Sequence, residues 1–316
     1  MRRKIALVGA GNIGGVLGML CLSRDLGDVV LIDVNEGLAI GKSLDLSQMG
    51  CLLGVGERIA GTKSMEAGLM AADVVIVTAG LARKPGMSRD DLLKTNAEII
   101  KDIAHNIRDY APDAFVVVVT NPLDAMVWVM QKESGLPPEK VVGMAGILDS
   151  ARFRTFLAEE FDVSPKDVSA MVLGGHGDTM VPLLNHSFVG SMTLTDLLEA
   201  GWISRERLNE IVDRTRQGGA EIVQHLQTGS AFFTPAAAAI EMVESYLKDK
   251  KRILPCAAYV QGEYGLQDLY VGVPVVIGQG GVEEIIELPL GEDELQSLHK
   301  SAQAVQELVE TLQNML

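Results

Sequence analysis

In Met171-Val172-Leu173-Gly174-Gly175-His176-Gly177-Asp178-Thr179-Met180 a single imidazole stands among glycines directly after an apolar run. The run predicts a strand that ends where His176 begins, with backbone bare enough for a ligand to come close. An imidazole of ordinary pKa, about 6.5, takes and returns a proton near neutrality, so the chemistry on offer is general acid/base catalysis. A loop histidine more often makes only a local hydrogen bond, and His176, one of five histidines in the chain, needs partners before it can do more. Two chemically apt side chains lie three residues apart at Asp149 and Arg152 and share one helix face, although that spacing by itself usually gives an exposed ion pair. Three more cations, Arg83, Lys84 and Arg89, lie in the long segment Thr78-Ala79-Gly80-Leu81-Ala82-Arg83-Lys84-Pro85-Gly86-Met87-Ser88-Arg89. Its Pro85-Gly86 turn suits a loop able to fold over a ligand; a solvated charged loop is the plainer reading.

The elements that must hold these groups begin at the N-terminus. Residues 4–8 read as a buried strand running into Gly9-Ala10-Gly11-Asn12-Ile13-Gly14, a G-x-G-x-x-G that opens a helix over residues 13–24. A second strand over residues 29–32 ends in Asp33. In this context Gly9 serves a tight turn, Gly11 a close approach of backbone to a pyrophosphate, Gly14 the contact of helix with strand, and the helix N-terminus the negative charge. Asp33 would accept hydrogen bonds from ribose hydroxyls and repel a 2'-phosphate, which favours NAD over NADP.

Helices over residues 37–48 and 90–110 then alternate with a weak strand at 58–61 and strong strands at 74–78 and 115–119, followed by a helix after Asn121-Pro122 and a strand near 141–142. Continuous apolar strands between amphipathic helices predict a doubly wound parallel sheet covered on both faces. Asn121 stands at a strand end, where it either faces a ligand or caps the next helix. Past residue 143 the alternation loosens. Helices are predicted over 146–161, 204–227, 235–248 and 293–316, extended segments at 171–175 and 185–189, and strands at 254–260 and 273–277, an α+β pattern. The fold class is therefore α/β: a dinucleotide-binding domain over residues 1–143, then an α+β substrate domain over 144–316.

Composition narrows the partners. At 316 residues the chain is long enough for two domains, and 47% hydrophobic with 22% charged residues describes a soluble globular protein. The formal charge of -15, from 27 Lys and Arg against 42 Asp and Glu, repels nucleic acid and anionic membranes. The same field opposes an anionic substrate, so an acid would have to be held by locally placed arginines. Cys21, Cys51 and Cys256 form no C-x-x-C pair and read as reduced, mostly buried thiols of a cytoplasmic protein. The basic start Met1-Arg2-Arg3-Lys4 before a charge-free run imitates a signal peptide or a membrane span, but five glycines within that run argue against both.

Together the G-x-G-x-x-G at Gly9–Gly14, Arg83-Lys84-Pro85-Gly86-Met87-Ser88-Arg89, Thr120-Asn121-Pro122-Leu123-Asp124, Leu148-Asp149-Ser150-Ala151-Arg152 and Gly174-Gly175-His176-Gly177-Asp178 closely resemble the lactate/malate dehydrogenase family, in the family's order and over nearly the whole chain. The nearest likeness is to its bacterial lactate-dehydrogenase-like malate branch. The resemblance implies a reversible NAD-dependent oxidation of (S)-malate to oxaloacetate with no metal. It implies His176 as acid/base, Asp149 bonding the other ring nitrogen, Arg89 polarising the C2 oxygen, Arg152 clamping the C1 carboxylate and Asn121 bonding substrate. Cofactor contacts are implied at Gly9, Gly11, Asn12, Ile13, Gly14, Asp33, Gly80, Asn96, Val119 and Asn121.

The resemblance also places Arg83 against the distal carboxylate, where lactate enzymes carry a neutral glutamine. A carboxylate left uncompensated in a closed pocket is expelled, so the charge at residue 83 selects malate over lactate. Lactate dehydrogenase is the nearest rival. An NAD-dependent glycosidase would need a divalent metal site, and an NAD-binding sensor would leave His176, Asp149 and the arginines without a task. The family likeness favours a homotetramer, with a dimer next.

Overall fold

A computed structural model describes residues 2–56, 58–81 and 89–315; the side chain of Arg89 lies outside the described atoms. The first half runs β1 (Lys4–Val8), α1 (Asn12–Ser23), β2 (Asp28–Ile32), α2 (Glu36–Leu53), β3 (Ile59–Thr62), α3 (Met65–Leu69), β4 (Val74–Val77), α4 (Arg89–Tyr110), β5 (Phe115–Val118), α5 (Leu123–Ser134) and β6 (Val141–Gly143). The second half runs α6 (Gly146–Glu160), β7 (Val168–Ser169), β8 (Val172–Leu173), β9 (Val181–Pro182), β10 (Phe188–Val189), β11 (Met192–Thr193), α7 (Leu194–Glu199), α8 (Arg205–Leu226), α9 (Phe233–Leu247), β12 (Arg252–Gln261), β13 (Gln267–Gly278), β14 (Gly281–Ile285) and α10 (Glu292–Met315).

Strands β4 and β5 are apolar at every position and buried throughout, as central strands covered on both faces must be. They lie in a nine-stranded sheet of order β14-β13-β12-β6-β5-β4-β1-β2-β3. From β3 to β6 the pairing is parallel, in the 3-2-1-4-5-6 order of a doubly wound dinucleotide-binding fold. The order in which strands are added reverses between the parallel neighbours β1 and β4, so the loops leaving these two strands diverge and open a crevice at the carboxyl end of the sheet.

Beyond β6 the sheet does not end. β12, β13 and β14 pair antiparallel and extend the same sheet, with Ala257 of β12 opposite Gly143 of β6. One apolar cluster consequently joins Ile5, Leu7 and Leu17 of the first half to Ile240, Val243, Val273 and Val275 of the second. The two-residue strands β7 to β11 are too short to show an alternation. The charge-free N-terminal run resolves into a strand, a glycine turn and a 12-residue helix, and among the described residues no helix is long and apolar enough to cross a membrane. Cys21 and Cys256 are buried, whereas Cys51 is exposed on α2.

Candidate active site

At the end of β1, Gly9 has φ +107°, a conformation side chains rarely adopt, and a Cβ there would lie 2.5 Å from Thr78 Oγ1. A Cβ on Gly14 would lie 2.0 Å from the Gly9 carbonyl oxygen, so only glycine lets α1 start against its own loop. Over Gly11 nothing stands within 4 Å of a Cβ. Gly11 also caps α1 without a side-chain hydrogen bond, and the first turn contains no acid, so the positive end of the helix is left for an outside anion. Asn12 is exposed at the start of that helix and Ile13 is half-buried behind it.

Asp33 is braced by the backbone: Oδ2 accepts from Ala10 N–H at 2.8 Å and Oδ1 from Asn35 N–H at 2.9 Å. A cleft of about 470 Å³ joins Gly9, Gly11, Asp33, Thr78 and Gly80. A bare helix N-terminus for a pyrophosphate and a fixed carboxylate at the end of β2 for a ribose are the donor and acceptor set that NAD requires, and the residues fit it.

Asn96 on α4 ties the loops leaving β4 and β5. It is buried; its Oδ1 accepts from Leu81 N–H at 2.8 Å, and its Nδ2 donates to the carbonyls of Leu81, at 3.2 Å, and Asn121, at 2.7 Å. Gly80 lies between them where a Cβ would come 2.5 Å from Thr120 Cγ2, and Val119 is buried with its N–H on Val77 O. Asn121 itself is exposed and precedes a cis bond to Pro122, which takes the cap position of α5 in its place.

On the other side of the sheet end, β8 leads into Gly174, whose φ is +85° and whose backbone forms a two-way bridge with Gly272 of β13. His176 comes two residues later. Its Nδ1 lies 2.8 Å from Asp149 Oδ2, and its backbone N–H donates to Asp124 Oδ2 at 2.8 Å. Since Asp149 accepts, Nδ1 carries the proton in the neutral ring and Nε2 is left as the base. Gly175 N–H donates to Ser301 Oγ of α10 at 2.8 Å.

The pair at Asp149 and Arg152 is not the exposed bridge that the spacing suggests: the side chains are 2% and 12% exposed because α8 lies over α6. A Cβ on Gly218 of α8 would meet Arg152 Cδ at 2.2 Å, so this glycine makes room for the arginine. Arg152 Nη1 donates to Asp149 Oδ1 and to the Thr215 carbonyl, both at 3.4 Å, long bonds that a carboxylate ligand can replace. A cavity of about 260 Å³ beside it is lined by Leu148, Arg152, Gly218, Ile222 and Thr234.

Charge sets the protonation of the centre. Burial presses the His176 pKa down, but the charge and hydrogen bond of Asp149 and the charge of Asp124 outweigh burial and the opposing Arg152, leaving the imidazole above its usual value. Burial lowers the pKa of Arg152, against the pull of Asp149 and Glu221. Arg83 lies outside the described residues, so its expected contact is not placed, and the same holds for the side chain of Arg89, whose backbone begins α4. Asp124, Ser301 and Gly218 are the parts that sequence reasoning did not single out.

Residues 3–143 match the family model described as lactate/malate dehydrogenase, NAD binding domain, and residues 147–315 match the lactate/malate dehydrogenase alpha/beta C-terminal domain. The chain belongs to the lactate/malate dehydrogenase family. It is accordingly an NAD-dependent oxidoreductase. A malate dehydrogenase of Xanthobacter autotrophicus is 60% identical over 309 residues, which span 98% of this chain and 96% of that one. The crystal structure of Cryptosporidium parvum malate dehydrogenase superposes with a TM-score of 0.96 at 47% identity, covering 99% of this chain and 100% of the other. The C. parvum lactate dehydrogenase complexed with lactic acid and NAD also reaches 0.96, at 45% identity, with 99% of each chain covered. Backbone likeness therefore does not separate the two substrates within this family, and the separation rests on side chains.

Proposed function

We propose that the chain is a malate dehydrogenase that interconverts (S)-malate and oxaloacetate with NAD. The observation that carries the chemistry is the buried Asp149–His176 hydrogen bond with Arg152 one helical turn away. In malate oxidation His176 Nε2 takes the C2 hydroxyl proton while Nδ1–H donates to Asp149, which holds the ring and offsets the charge of the imidazolium. When bound, NAD accepts the hydride that leaves C2. Arg152 takes the C1 carboxylate with two parallel N–H donors. Arg89 polarises the C2 oxygen, a contribution of about 3 kcal/mol by analogy with a single oxyanion donor. Asn121 orients substrate or the nicotinamide ribose, and Asp33 holds the adenosine ribose. The boundary falls between residues 143 and 144: the dinucleotide is held before it and His176, Asp149 and Arg152 stand after it, while Arg83, Arg89 and Asn121 reach the substrate from the first side.

Substrate choice is placed at Arg83, supported by the 60% identity to a malate dehydrogenase over nearly the full length. Arg83→Gln should depress kcat/KM for oxaloacetate steeply and leave pyruvate nearly unchanged; steady-state assays of both keto acids with NADH check this, and unaltered oxaloacetate kinetics would overturn it. Lactate is the second reading, favoured by the equally good superposition on a lactate dehydrogenase holding lactic acid and NAD. Pyruvate turnover exceeding oxaloacetate turnover in the unmodified protein would select it. We place the enzyme in the cytoplasm, in the tricarboxylic acid cycle, as a homotetramer; light scattering and sedimentation velocity decide between tetramer and dimer.

A further inference from the structure

Behind the catalytic histidine lies a second carboxylate that takes no part in the proton and hydride transfers. Asp124, in the first turn of α5, is 5% exposed, and its Oδ2 accepts the His176 backbone N–H at 2.8 Å. Its Oδ1 is sealed from solvent without a hydrogen-bond partner in the structure. A requirement for one acceptor would be met by any neutral oxygen, so it does not explain why a group able to carry full charge is enclosed here with half its bonding capacity idle.

The surroundings supply a reason. His176 is faced by Asp149 and Arg152 from α6, by Asp124 from α5, and on the α10 side by the uncharged Ser301, which bonds the neighbouring Gly175 N–H. Asp124 in turn faces His176 and Asp149. An imidazolium formed during malate oxidation thus meets two carboxylates, one on the ring and one behind the main chain, against one guanidinium. We propose that Asp124 is a positioning residue of the acid/base centre: it fixes His176 through the backbone amide and, when ionised, stabilises the imidazolium jointly with Asp149. The Asp124 carboxyl is pushed up to about 6, because burial, helped by the charge of Asp149, outweighs the His176 amide hydrogen bond and charge that draw it down. The two groups lie against each other and therefore titrate as a coupled pair. No proton passes from substrate to Asp124.

The inference rests on His176 being the acid/base. Its test tracks the titration of histidine Cε1 by NMR in the protein without cofactor, with His176→Asn identifying the resonance, beside pH profiles of kcat/KM for oxaloacetate. In Asp124→Asn the amide oxygen can still accept the His176 N–H, but the charge is gone, and the His176 midpoint should fall by about 0.5–1 pH unit. Oxaloacetate reduction above that midpoint should then drop about three- to tenfold. Asp124→Ala should show the same shift with a further loss of kcat. Ser301→Ala, which removes a loop contact without removing charge, should lower kcat and leave the midpoint in place. The unmodified protein gives an arm independent of any variant's folding: its His176 resonance should pass through two inflections, one of them from Asp124. A single inflection, or an unmoved midpoint in Asp124→Asn, overturns the role of Asp124. Near-normal turnover in His176→Asn would instead overturn the acid/base reading beneath it.

Discussion

At His176 the sign of the pKa shift fixes how the two directions of the reaction respond to pH. The imidazole is held above its usual value, because two carboxylates outweigh burial and Arg152. Malate oxidation needs the neutral ring, so its kcat/KM should rise as pH passes upward through a midpoint above about 6.5. Oxaloacetate reduction needs the imidazolium and should fall across the same midpoint. Profiles measured in both directions should share that value, and a common midpoint below 6.5 would mean that burial, not Asp149, dominates the ring.

At the scale of elements, the glycines around α1 separate two requirements that one motif conflates. Gly14→Ala places a Cβ against the Gly9 carbonyl and should lower both Tm and NADH affinity. Gly11→Ala meets no atom within 4 Å and should change Tm little while weakening NADH binding at least tenfold, since the methyl projects into the space over the loop. Thermal melts and NADH fluorescence titrations distinguish the two. This part of the fold was legible because strand, glycine turn and helix are contiguous, each with its own local pattern. The annex of β12 to β14 was not: a strand's alternation reports that it is buried, not which edge it pairs with, and β6 offers that edge over only three residues. The site divided in the same way. His176 announced itself through its flanking glycines. Asp149 and Arg152 were visible, but their spacing alone suggested an exposed pair, because α8, which covers them, comes much later in the chain. Asp124 reads in sequence as an acid complementing its own helix dipole, and Ser301 as one serine on an amphipathic helix. Their task exists only once α5 and α10 meet the His176 loop.

For the whole molecule, the continuous sheet matters more than the division into a cofactor half and a substrate half. β12 pairs with β6, and α1 and α9 contribute to one cluster with Ile5, Leu7, Val273 and Val275, so one core runs through both halves. Unfolding is expected as one cooperative transition, seen as a single calorimetric peak whose van't Hoff and calorimetric enthalpies agree for each folded subunit. Two resolved peaks would show that the halves melt apart. Saturating NADH should raise the whole transition, although its contacts fall in the first half, by an amount set by RT ln(1 + [L]/Kd).

The three successive amides of Gly174, Gly175 and His176 donate to Gly272 O, Ser301 Oγ and Asp124 Oδ2, acceptors on three different elements. A segment written in glycine is thereby tied at three successive amides. Its amide protons should exchange with deuterated solvent as slowly as those of the central strands β4 and β5, over hours, without any ligand present. The catalytic ring is then delivered to each turnover already in place, and glycine at this point serves clearance, not motion.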